Sequence, residues 1–234
     1  AGPRLQAITV VLMALMRQSK RRTALALETL FGVPASAGWI VKLQRQALPA
    51  LTPYQAEVAA EIPTAEVAFC DETPFKEGQK KTWLWSFVSP RCTLFKMSDT
   101  RAAETPQTIL STHFSGTICT DRYAGYNTWN SRRQICWAHL KRNIQAVIDG
   151  GGDGFRIGSR LMSVLNRMFT LWHRYRSGKI RHATLRRQIE AQCQYQFYEA
   201  LEDGQRCSHA PTVTLCQDLF ARYDQLWQFT EHVG

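Results

Sequence analysis

The 234-residue sequence carries 29 Lys+Arg against 19 Asp+Glu and is 44% hydrophobic, which suits one large or two small globular domains and argues against a disordered chain. Seven cysteines without any C-x-x-C spacing favour reduced thiols in a cytosol over a disulfide framework. The basic excess points to a polyanionic partner and is uneven: residues 1–50 hold seven basic and one acidic side chain (+6), 51–150 eleven and ten (+1), 151–234 eleven and eight (+3).

Near the start, the apolar run Ala7 to Met16 is too short to span a bilayer. Lys20-Arg21-Arg22 follows it instead of preceding it, the wrong polarity for a signal peptide, so no membrane partner is expected. Leu5, Ile8, Leu12 and Leu15 fall on one face of a helix predicted over 4–17. A second helix, from Arg22-Thr23 with Leu25, Leu27, Leu30 and Phe31, is stopped by Gly32-Val33-Pro34. Ser36 can cap a third, carrying Trp39, Ile40, Leu43 and Ala47 inward. Two short helices around a Gly-containing turn suit a helix-turn-helix with Lys42, Gln44 and Arg45 toward a groove, or a plain helical hairpin with a solvated basic face. The first residue is Ala and not Met, so the sequence reads as a piece of a longer protein.

Leu48-Pro49-Ala50-Leu51-Thr52-Pro53 is expected to break the helical pattern, with a short helix from Tyr54 to Glu61 beyond it. From there the period changes to two. Strands are predicted at Val67–Cys70, Thr82–Val88, Cys92–Met97, Thr117–Thr120 and Gln134–Cys136, the second and third as a hairpin around Ser89-Pro90-Arg91. Thr105-Pro106 reads as N-cap and first residue of a short helix, and a longer helix burying Leu140, Ile144 and Val147 follows the fifth strand. Three locally joined strands, a helical crossover, a fourth strand and then strand–helix is the order of an RNase H-like mixed sheet, in which the first and fourth strands are parallel neighbours. Gly150 to Gly154 reads as a flexible break. Beyond it the chain is all helix, at about 155–177, 181–202 and 212–230, with Tyr195 and Tyr198 inward in the second.

Two of these strands end on a carboxylate, Asp71 and Asp121, fifty positions apart. If they lie side by side the pair can share divalent metal, and hard oxygen ligands suit Mg2+ or Mn2+ in two-metal phosphoryl chemistry. Aspartates also end strands simply because turns favour them. Glu72 should alternate away from Asp71 toward solvent. Cys136 and His139 cannot alone supply a zinc site. Arg122 and Tyr123 could contact phosphate or stack on a base, or merely form a surface loop. Arg132-Arg133, Lys141-Arg142, Arg174-Arg176 and Arg186-Arg187 are phosphate-contact candidates, of which fewer than half are expected to touch nucleic acid.

Cys70-Asp71-Glu72-Thr73, Lys81-Thr82-Trp83-Leu84-Trp85, Thr120-Asp121-Arg122-Tyr123-Ala124-Gly125-Tyr126-Asn127 and Cys136-Trp137-Ala138-His139-Leu140-Lys141-Arg142 together resemble the central domain of the insertion-sequence 66 family of bacterial DDE transposases. The resemblance implies an RNase H-like core interrupted by a helical insertion, with Asp71 and Asp121 as the first two acids of the triad and as ligands of two Mg2+ or Mn2+ ions. It implies DNA partners (element ends and target), a homo-oligomer on DNA, and a cytoplasmic, nucleoid-associated location in a bacterium. DNA contacts are expected at Lys42, Arg45, Arg122, Lys141 and Arg142. The family's third acid, a glutamate in a segment reading roughly Asn-Asn, two small residues, Glu-Arg, has no match here. It is expected beyond Gly234, and the polypeptide by itself is expected to be catalytically incomplete. The expected organisation is a helix-turn-helix-like DNA-binding segment (1–50), a linker helix (51–65), a catalytic core (66–152) and an α-helical insertion (153–234). The alternative is a non-catalytic DNA-binding or assembly module.

Overall fold

Serine and glycine punctuation sets the first three helices. In the computed structural model, which describes residues 1–111, 113–127 and 132–232, they are α1 (Pro3–Ala14), α2 (Lys20–Phe31) and α3 (Ala37–Glu61). Ser19 Oγ accepts from Arg22 N at the head of α2, and Gly32, at φ +63°, closes its tail in the left-handed conformation that glycine adopts without strain. Ser36 Oγ accepts from Trp39 N, the predicted cap of α3. Ala24, Leu27 and Ile40 are buried, with Leu5, Ile8, Leu12 and Trp39 packed around them. Leu15 lies past the end of α1 and is 77% exposed, so it does not join that face.

The expected break at Leu48–Pro53 is absent, and α3 runs unbroken through Pro49 and Pro53. Each proline removes an amide and would normally kink a helix. Here residues 48–57 are all exposed, so water reaches the orphaned carbonyls. Thr52 Oγ1 also donates to the Leu48 carbonyl at 3.2 Å. The contacts divide the chain at the end of this helix, into units Ala1–Glu61 and Ile62–Gly234.

The second unit is built on a five-stranded mixed sheet of order β3-β2-β1-β4-β5. The strands are β1 (Val67–Glu77), β2 (Lys80–Val88), β3 (Thr93–Ser98), β4 (Thr117–Thr120) and β5 (Arg133–Ile135), with α4 (Glu104–Leu110) between β3 and β4. β1, β2 and β3 are antiparallel in turn, while β1, β4 and β5 run parallel. β1 is longer than its apolar run because β2 pairs with it as far as Glu77↔Lys80, with Gly78 at φ +62° in the turn. Pro74 fits this strand because β4 pairs only to Phe69↔Cys119, so beyond that point β1 is an edge on its other side. α4 starts at Glu104, one residue before the expected cap, and Thr105 instead hydrogen-bonds Ser98 through their hydroxyls at 3.1 Å.

Helices α5 (Trp137–Asp149), α6 (Gly152–Arg176), α7 (His182–Ile189), α8 (Tyr195–Gln205) and α9 (Ala210–Ala221) follow. The glycine tract between α5 and α6 is a tight turn: Gly151 and Gly152 have positive φ, and a Cβ on Gly154 would lie 2.6 Å from the Val147 carbonyl. One apolar cluster runs from Ile135 to Trp227, so α5 and the later helices share a core. Leu185, Ile189, Cys193, Phe197 and Leu201 recur every four residues and are all buried. An α-helix would let such a row drift by about 40° per step. A π-helical turn at Glu190–Gln194 between α7 and α8 absorbs the drift and leaves Tyr195 67% exposed, not inward as expected. The helix expected over 212–230 ends at Ala221 and gives way to 3-10 turns. β5 and the head of α5 capture these turns: Gln134 Nε2 and Trp137 Nε1 both donate to the Leu226 carbonyl, and Phe229 N donates to Gln134 Oε1. No helix among the described residues is long and apolar enough to cross a membrane.

Candidate active site

The parallel register fixes the relation between the two aspartates. Val67 pairs with Thr117 and Phe69 with Cys119, an offset of fifty (117 − 67), so Asp71 and Asp121 stand level where these strands part. Asp71 shares the sheet face of Val67 and Phe69, and its side chain is 56% exposed. His139 Nε2, from the first turn of α5, lies 3.9 Å from Asp71 Oδ1. Asp121 is held more firmly. Its Oδ1 accepts from Tyr123 N at 2.9 Å, and its carbonyl accepts from Arg133 Nη2 at 2.7 Å. Asp121, His139 and Arg142 line one polar cavity of about 530 Å³.

Glu72 is placed on the opposite face from Asp71, as alternation requires, but that face is the interior one. The solvated role expected for it is therefore corrected. Its register partner is Trp85, which is fully buried, and the Glu72 side chain is 1% exposed. A carboxylate there needs partners. Arg101 Nε and Nη2 donate to Oε1 at 2.8 and 2.6 Å, and Tyr126 Oη donates to Oε2 at 2.7 Å. Burial pushes the Glu72 carboxyl above its ordinary range, against the opposing pull of the Tyr126 and Arg101 hydrogen bonds. Arg101 lies 3.8 Å from the Tyr123 ring centroid and 5.1 Å from that of Trp83. The Tyr123 ring is thus engaged by a guanidinium, and its hydroxyl donates to the Arg101 carbonyl at 3.0 Å.

Arg133 also differs from expectation. It is 6% exposed and points inward, donating from Nε to Thr120 Oγ1, from Nη1 to Asn127 Oδ1 and from Nη2 to the Asp121 carbonyl. Burial lowers its pKa to about 10. It clamps the loop carrying Asp121 and is not available to phosphate. Arg122 is ion-paired with Asp218 of α9. Lys141 and Arg142 are exposed on α5, and only Arg142 lines the cavity of Asp121. Lys42 and Arg45 are exposed on α3 of the first unit. Sequence reasoning missed Arg101, Tyr126, Asp218 and Arg222, whose roles come from pairings across the fold.

Cys136 caps the N-terminus of α5 beside Cys119 and His139. Its thiol is pulled far below the ordinary range, first by the hydrogen bond from Cys119, then by His139 and the amides of the first helical turn, while Cys119 is pushed up. Cys136 is therefore expected to react first among the seven cysteines. Its iodoacetamide rate should fall less between pH 8 and pH 6 than that of an ordinary thiol, which slows nearly a hundredfold. Peptide mapping of the alkylated protein checks this, and a rate that falls with the bulk thiols would contradict it.

Among the described residues no group of three or more His, Cys, Asp or Glu side chains is placed to hold a metal ion. Asp71 and Asp121 fit a hard divalent cation as far as a pair can, being level carboxylates on neighbouring strand ends, one of them open to solvent.

A mixed sheet flanked by helices, with two carboxylates at adjoining strand ends, places the molecule among α/β proteins with an acidic sheet edge. The model of the family described as transposase IS66 family matches residues 1–233, and the chain belongs to that family. No curated protein matches the sequence. DDE transposases generally use divalent metal ions and act on DNA.

Proposed function

We propose that this chain supplies two of the three carboxylates of a DDE transposase centre, Asp71 and Asp121, on an RNase H-like sheet. The observation that carries the proposal is the fifty-residue offset of the parallel β1–β4 pair, which puts both acids level at one sheet edge. The strand order β3-β2-β1-β4-β5 supports the fold assignment. When bound there, two Mg2+ or Mn2+ ions would activate the attacking oxygen and stabilise the leaving oxygen of a phosphodiester. Asp71 and Asp121 would hold them. Arg133 keeps Asp121 in place through its carbonyl, and His139 and Arg142 border the same space. The reaction is hydrolysis at an element end followed by attack of the released 3′-hydroxyl on target DNA, with no covalent protein intermediate.

The third carboxylate, in this proposal, is a glutamate of a further segment, since no stretch of the 234 residues matches the family's glutamate motif, and the 234 residues alone do not cleave DNA. Phe69, Phe95 and Met97 lie on the face of Asp71 and are 49%, 60% and 41% exposed, an apolar surface suited to cover by such a segment. Magnesium-dependent nicking by the complete three-carboxylate centre, lost in Asp71→Asn, is the test. Robust cleavage by the 234-residue chain alone would refute its incompleteness.

The proposed organisation keeps a DNA-binding segment in residues 1–50, a linker helix in 51–65, the catalytic core in 66–152 and a helical insertion in 153–234, in a nucleoid-associated bacterial protein acting on DNA as an oligomer. Because α3 continues through residue 50, side-chain replacement is a cleaner probe of the first segment than truncation. Lys42→Gln with Arg45→Gln is expected to weaken duplex binding and to flatten the log affinity against log salt plot by about 1.8. An unchanged slope would place the contacts elsewhere.

A further inference from the structure

Two arginines in the second unit share a single carboxylate. Asp218 of α9 meets Arg122 through Oδ2 and Arg222 through Oδ1, and all three side chains are only about a quarter exposed, at 25%, 25% and 21% for Asp218, Arg122 and Arg222. Two cations thus share one paired carboxylate, with Asp121 also acting electrostatically on Arg122. Arg122 Nε is also buried without a hydrogen-bond partner, so the donor set of this cluster is not fully used. The burial of both guanidiniums lowers their pKa, and Arg122 lowers that of Arg222 further.

The cluster sits where two cavities adjoin. Arg122, Arg222 and Asp218 line the cavity of about 530 Å³ that also contains Asp121 and Arg142. Arg222 lines a second, of about 330 Å³, with Arg132 and Asn127. A basic track thus passes the candidate catalytic aspartate, and its centre is plugged by a carboxylate. Guanidinium forks bind phosphate oxygens in the same bidentate manner as they bind carboxylate.

We propose that Arg122 and Arg222 form a binding site for a DNA strand phosphate next to Asp121, and that Asp218 occupies this site in the free protein and is displaced by the strand. The proposal rests on the transposase reading only in naming DNA as the phosphate's source. Arg122 then acts with a partner from α9, which makes the helical segment a wall of the substrate cleft.

The test is binding of a fluorescent single-stranded oligonucleotide to the 234-residue chain in EDTA, across a salt series, with inorganic phosphate as competitor. Asp218→Asn is expected to bind about tenfold more tightly with the log–log salt slope of the native chain, because the same two arginines meet phosphate in both complexes and only the cost of displacing the carboxylate is removed. Arg222→Gln in the otherwise native chain is expected to flatten the slope by about 0.7, which keeps the proposal testable should Asp218→Asn fail to fold. Phosphate alone, at equal ionic strength, should compete weakly with the strand; equal competition per phosphate would overturn DNA as the ligand. An Asp218→Asn affinity equal to that of the native chain would overturn the displacement, and so would a slope steeper by about 1.4, since the strand would then not reach these arginines in the native chain. So would a gain that survives in Asp218→Asn/Arg122→Gln/Arg222→Gln, since that is a general charge effect. Because no metal is present, these outcomes are independent of the Asp71 nicking test. Loss of nicking in Asp71→Asn with an unmoved Asp218→Asn affinity refutes this proposal alone, and the reverse refutes the catalytic reading alone.

Discussion

Asparagine at Asp71 is expected to leave folding unchanged and to lower magnesium-dependent DNA nicking by the complete centre about a thousandfold or more, a barrier increase of about 4 kcal/mol. The expectation of unchanged folding follows from exposure: the side chain is 56% accessible and the His139 ring nitrogen Nε2 lies 3.9 Å away. An isosteric amide there creates no cavity and buries no unpaired group. The large kinetic effect follows because a neutral amide is a far weaker ligand for a hard divalent cation than a carboxylate. Asp121→Asn should do the same. Its Oδ1 can still accept from Tyr123 N, so the loop geometry survives while the charge is lost. A gel-based nicking assay beside a thermal melt separates the two effects. Native-level nicking in either variant would remove these aspartates from the mechanism.

The second large effect is on stability. Arg101→Ala is expected to destabilise the second unit by about 3 kcal/mol, because it strands the Glu72 carboxylate, 1% exposed, with Tyr126 as its remaining partner. For a unit of this size that lowers the melting temperature by about 8 °C. Glu72→Gln added to Arg101→Ala should recover much of the loss, since it removes the buried charge and keeps an acceptor for the Tyr126 hydroxyl. A single variant that melts with the native protein, or a double variant no better than the single, would show that the pair is not the support described here. The pair matters for function because Glu72 follows Asp71 directly, and Tyr123 and Tyr126 both belong to the loop after Asp121. One buried carboxylate thus ties together the chain segments that present the two acids.

Much of the sheet was legible because β-branched and aromatic runs bounded by turn residues leave few alternatives, and β4 came out at the expected residues, Thr117–Thr120. Asp71 and Asp121 were legible as a pair because each closes such a run. Which face of β1 was interior was not legible. Alternation separates Asp71 from Glu72 but does not say which side Trp85 and Tyr126 will cover. The prolines of α3 misled because their cost depends on whether the freed carbonyls meet water, a property of the fold and not of the dipeptide. The spacing of Leu219, Tyr223 and Leu226 suits a helix, yet Gln134 and Trp137 capture the Leu226 carbonyl and bend that segment into 3-10 turns. Asp218 is separated from Arg122 by 96 positions, and no local pattern announces such a pairing.

Exchanging the ligand atom tests whether Asp71 and Asp121 hold divalent metal. Asp71→Cys in the complete centre should be inactive with Mg2+, which binds thiolate poorly, and should regain nicking with Mn2+ or Cd2+, which accept it. Metal-selective recovery at this position, absent in Asp71→Ala, is the predicted result. Activity of Asp71→Cys that is the same with Mg2+ as with the softer ions would contradict metal binding there.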